Sequence, residues 1–168
     1  MCDPSGGPAP PPDAQTQPDG PFRAIIVPMT PADRIAAIAA RFGIDALYAF
    51  GSRATEALAR VEGGSAFEAG GPSDLDVAVL PLPGRVLNTD ERVALAAALE
   101  DLFPAPRVDL VVLPEAPPFV ALAAVSGELL YAGDRVRESH YQLFVLRRAG
   151  DLAPFERARR AHALSAGL

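Results

Sequence analysis

The chain has 168 residues, which favours one domain and suffices for a sizeable core. Hydrophobic residues make up 49% and the net charge is −6, the composition of a mildly acidic globular protein; no basic stripe of the kind a nucleic-acid grip requires is present. A single cysteine, Cys2, excludes an intrachain disulfide framework. No apolar run is long enough to span a bilayer and no signal peptide opens the chain, so a cytoplasmic protein without direct nucleic-acid or membrane partners is expected.

Residues 1–22 are rich in Pro, Gly, Asp and Gln and predict a disordered leader. A folded domain is expected over 23–168. The first helix is predicted over Pro31–Phe42. Thr30 is its N-cap, Pro31 its first residue and Asp33 the capping-box partner; Gly43 ends it. ALYAF, 46–50, reads as a buried strand running into Gly51-Ser52. A second helix is expected to open at Ser52 and run through SRATEALARV. The Gly-rich stretch 63–73 reads as a loop.

LDVAVL, 75–80, is a strand, and 88–103 a helix with Asn88 and Glu91 in capping-box spacing. VDLVVL, 108–113, is a third strand. PPFVALAAVSG is a short helix ended by Gly127, and ELLYAG a fourth strand. Asp134 caps a long C-terminal helix whose apolar stripe is expected to include Val136, Leu143, Phe144 and Leu146. This alternation predicts an α/β (α+β) domain: a mixed sheet of about four strands flanked by helices.

Three acidic residues sit in or at the lip of these strands. Asp74 and Asp76 bracket Leu75, and residues i and i+2 of a strand share a face. Two such carboxylates repel, and a divalent cation removes the conflict while gaining oxygen ligands. Asp109, second in its strand, completes the set if that strand neighbours 75–80. Such a set suits magnesium shared with substrate phosphates, with Asp109 the candidate for deprotonating an attacking hydroxyl. Gly51 lets a phosphate approach a strand-to-helix turn, and Ser52 adds a donor. Arg53 either reaches the phosphates or is solvated. Singly, each signal reads as structure: a strand end, an ordinary turn, edge protection. Together they favour a site that binds Mg2+ and a nucleotide. His140, His162, Tyr48, Tyr131 and Tyr141 read as packing or surface residues.

FGSRA, SDLDVAVL and RVDLVVL together resemble the minimal nucleotidyltransferase (MNT) family of the polymerase-beta-type superfamily, with Gly51, Ser52, Asp74, Asp76 and Asp109 at the motif positions. The resemblance spans about 22–157, including GELLYAGD and HYQLFVLRRAGDLAPF. One departure is plain: the family places fewer residues between Gly-Ser and D-x-D, so about 54–72 reads as an insertion. The resemblance implies an antitoxin of a HEPN/MNT pair, transferring AMP from ATP to a tyrosine of a HEPN-type RNase toxin. The alternatives are transfer to a small, aminoglycoside-like molecule and a non-catalytic module that neutralises its toxin by covering it.

Overall fold

The computed structural model describes residues 29–64 and 73–165. The expected leader and residues 65–72 of the expected insertion lie outside the described residues. Nine regular elements follow in chain order: α1 (Pro31–Phe42), β1 (Ile44–Phe50), α2 (Ala54–Val61), β2 (Leu75–Pro81), α3 (Thr89–Leu102), β3 (Val108–Val112), α4 (Pro118–Val125), β4 (Glu128–Ala132) and α5 (Arg135–Ser165).

The helix ends obey their local chemistry. Thr30 and Asp33 close a capping box at α1, and Asn88 and Glu91 close one at α3, so orphan N–H groups at each start are satisfied. Gly43 ends α1 in the left-handed conformation, with φ of 68°. Asp134 accepts from the backbone N–H of Val136 and Arg137 and opens α5.

The four strands lie in the order β3-β2-β1-β4. β1 runs antiparallel to β2 and β4, whereas β2 and β3 are parallel, joined through α3. The expected mixed sheet is thus present. Both its faces are covered. Leu47, Val77, Val79 and Leu75 pack on one side with Ile35, Leu95 and Leu99 of α1 and α3. Ala46, Tyr48, Ala78 and Leu80 pack on the other with Ala121, Ala124 and Val145 of α4 and α5. Burial on both faces explains why β1 and β2 read as continuous apolar runs rather than alternating ones. No helix among the described residues is long and apolar enough to cross a membrane.

Two expectations away from the motif residues need correction. β1 begins earlier than Ala46, at Ile44, and includes Asp45, which is 2% exposed. An acidic residue argues against a strand interior until its partner is known. Here Arg137 of α5 donates to both carboxylate oxygens at 2.8 and 2.7 Å, and a register shift between Ile44 and Ala46 accommodates it.

The second correction concerns α5. Val136, Leu143, Phe144 and Leu146 do not face the core; they are 44–65% exposed. The buried positions are Glu138, Val145 and Ala149, with Tyr141 partly buried. Polar anchoring overrides apolar periodicity at this end. Arg137 pairs with Asp45, and the buried Tyr48 hydroxyl donates to Glu138 at 2.6 Å. These bonds fix the rotation of α5 and turn its larger side chains outward. Burial and the Glu138 carboxylate together hold the Tyr48 hydroxyl well above the ordinary tyrosine range.

Candidate nucleotide site

One end of the sheet gathers the motif residues. β1 finishes there at Phe50, while β2 and β3 start there. The register sets Phe50 beside Asp76 and Asp76 beside Asp109, a row across three strands on one face. Asp74 precedes β2, two residues before Asp76. All three aspartates are half-buried.

The chain leaves β1 at Gly51, and the link to the row is direct. Gly51 has φ of 75°, and a Cβ added there would stand 2.5 Å from Asp76 Oδ2. Glycine is therefore required twice, by conformation and by the close approach of the carboxylate. Gly51→Ala is expected to lower the activity of this site about a hundredfold by displacing Asp76, with the fold retained; steady-state rates beside a circular dichroism spectrum check this.

The second helix does not open at Ser52 as expected. Gly51–Arg53 form a single 3₁₀ turn, and α2 follows from Ala54. Ser52 is exposed, its hydroxyl 3.4 Å from that of Ser73. Arg53 is neither solvated nor pointed outward. It is 3% exposed, donating to Glu56 at 3.0 and 3.2 Å and to the Ser73 carbonyl at 3.2 Å. That last bond clamps the glycine turn to the residue just before Asp74. Arg53 thus holds the two halves of the motif together.

Asp76 titrates abnormally. Its carboxyl is held above the usual carboxylate range, first by withdrawal from water and then by the neighbouring Asp109 and Asp74 carboxylates. The three are therefore electrostatic neighbours, as expected. Yet among the described residues no three acidic, histidine or cysteine side chains stand close enough to hold one ion as they are. The expected convergence at shared-metal distance is not reached. Asp109 pairs with Arg107, 2.7 Å away. The Arg107 carbonyl also accepts the Leu75 N–H, at the centre of D-x-D. Sequence reading missed Arg107 and Ser73. Arg107 stands two residues before Asp109, the spacing that puts side chains on one strand face, and that signal was legible.

The match to known families decides the class. A family model described as polymerase beta, nucleotidyltransferase, matches residues 33–136, from α1 into α5. The chain belongs to the polymerase beta nucleotidyltransferase family. No curated protein matches it. Several solved structures share the fold of this nucleotidyltransferase. One is a chain of the toxin–antitoxin MntA–HpeT, in a mutant with two aspartates, two positions apart, replaced by glutamate: 19% identical, TM-score 0.61, covering 79% of this chain and 98% of that one. Another is from a toxin–antitoxin structure with AMP-PNP: 20% identical, TM-score 0.58, with coverages of 79% and 98%. A third, from Shewanella oneidensis, is a tri-AMPylated HEPN toxin in complex with MNT antitoxin: 20% identical, TM-score 0.57, coverages of 80% and 96%. At such identities the likeness of this nucleotidyltransferase to them is one of fold.

Proposed function

We propose that this nucleotidyltransferase is an antitoxin that transfers AMP from ATP to a tyrosine of a cognate HEPN-type toxin, with magnesium as cofactor. The observation that carries the reading is the row Asp76–Asp109 set against the Gly51-Ser52 turn at one sheet end. The neighbours add support, since the same fold occurs with AMP-PNP and beside an AMPylated HEPN toxin.

The donor set suits a hard divalent cation. Asp76 is crowded by two carboxylates and, among the described residues, has no cationic partner. Asp74, Asp76 and Asp109 would hold the ion, which neutralises the triphosphate charge. Gly51 and Ser52 offer backbone N–H groups and a hydroxyl to the phosphates. Transfer then forms a bond from the acceptor hydroxyl oxygen to the α-phosphorus and breaks the bond from that phosphorus to the bridging oxygen. Pyrophosphate leaves, and Asp109 takes the hydroxyl proton.

For this, Asp109 must leave Arg107. Water reaches both side chains, 68% exposed for Arg107 and 42% for the half-buried Asp109, and such pairs are worth at most about 1 kcal/mol. Arg107→Ala is expected to tighten Mn2+ binding to the nucleotide-free protein by about two- to fivefold, read by calorimetry. An unchanged affinity would mean that Arg107 does not compete for Asp109.

A small-molecule acceptor finds less support. A cavity of about 510 Å3 exists, but it is lined by Asp45, Pro81, Arg137 and His140, at the opposite end of the sheet. The test is intact mass spectrometry of a candidate HEPN-type toxin, incubated with this protein, ATP and magnesium. AMP-sized gains that vanish with Asp74→Ala/Asp76→Ala establish the activity. No gain with a stable complex would mean neutralisation by covering; neither gain nor complex would rule out the toxin as acceptor.

A further inference from the structure

The outward face of α5 carries a self-complementary pattern. Phe144, Arg148, Asp151 and Phe155 follow one another at spacings of four, three and four residues, which places them along one seam of a helix. Phe144 is 53% and Phe155 72% exposed. Arg148 and Asp151 are exposed too and form no ion pair among the described residues. Glu156, by contrast, is spent on Arg159 and Arg160 of the same helix. Two apolar rings and an unmatched pair of opposite charges thus face solvent in one line.

The order of the four residues is palindromic. Phe144 and Phe155 are symmetric about the point between Ala149 and Gly150, and so are Arg148 and Asp151. A two-fold axis there lays a second α5 antiparallel on the first. Each Phe144 then meets the other copy's Phe155, and each Arg148 meets the other copy's Asp151, twice over. That is the self-matching an isologous interface demands. Between Phe144 and Leu152 the surface of α5, bordered by Arg147, Arg148 and Asp151, is open to solvent. Pro154 lies about a quarter-turn off the seam, so its ring does not cover the seam residues.

We propose that the occupant of this face is a second copy of the chain, in an antiparallel α5–α5 dimer held by reciprocal Phe144–Phe155 and Arg148–Asp151 contacts. A hetero-partner would have no reason to select a palindrome; a copy of the same helix does. The seam is short, so the association is weak and visible at high micromolar concentration.

Sedimentation equilibrium on the full chain, carried up to such concentration, tests it. The average mass of the wild type is expected to rise toward twice the chain mass. Arg148→Asp alone and Asp151→Arg alone each oppose like charges across the axis and should keep it at the chain mass. Mixed one to one, these two variants become complementary and should recover the dimer. A charge pair acting within one helix gives no such recovery. Phe155→Ser should also give a monomer, with an unchanged melting temperature because the ring is exposed. A monomeric wild type, single variants that stay dimeric, or a mixture that stays monomeric would each overturn the proposal.

Discussion

Asp76→Asn is expected to abolish transfer, by at least about a thousandfold, while raising the melting temperature of the nucleotide-free protein. The two effects share one cause. Asp76 is held above the usual carboxylate range by partial desolvation and by Asp109 and Asp74. A group whose folded value lies above its unfolded one favours the native state while it stays protonated, and that contribution disappears as pH rises through the folded value. At neutral pH the ionised Asp76 therefore strains the nucleotide-free fold, and the amide relieves it. The gain should shrink in acid, where Asp76 itself is protonated. Saturation with magnesium and nucleotide reverses the order: at a hundredfold excess over Kd the wild type gains about 2.7 kcal/mol and the variant gains nothing. Activity should rise with pH through the Asp76 titration, because only the carboxylate accepts a cation. Thermal melts at pH 5 and 7.5, with and without ligand, test all of this together.

Arg137→Ala is expected to cost about 2–3 kcal/mol, lowering the melting temperature by roughly 5–10 °C. The substitution strands the Asp45 carboxylate, 3% exposed, inside the end of β1. Water reaches the half-exposed Arg137 side, which keeps the cost below that of a fully enclosed pair. Asp45→Asn in the same background should recover part of the loss, because the amide removes the unpaired charge. This network lies at the end of the sheet away from Asp76 and Asp109. The folded variant should thus retain transfer activity well below its melting temperature, separating stability from chemistry.

These residues also mark how far the sequence could be read. Helix ends were legible because capping is local: Thr30 with Asp33 and Asn88 with Glu91 sit three residues apart, and both boxes form. The two apolar runs with acidic entries were legible as strands, but that they are neighbours, with Asp76 beside Asp109, was left as a condition that only the long-range pairing meets. Asp45 was lost because its neutralising partner is 92 residues away. The same long-range contacts set the rotation of α5, so its apolar periodicity pointed to the wrong face. Arg53 shows the limit at the site. Its place after Gly-Ser suggested phosphate contact or solvent, but its partners are Glu56 and the backbone of Ser73, across a stretch whose path no local rule specifies.

The most direct test of the account is calorimetric titration of magnesium with a non-hydrolysable ATP analogue into the wild type and Asp76→Asn. Binding to the wild type should require the metal and should be lost in the variant. Equal binding to both proteins, or binding indifferent to magnesium, would contradict a nucleotide site built on the Asp76–Asp109 row and the Gly51 turn.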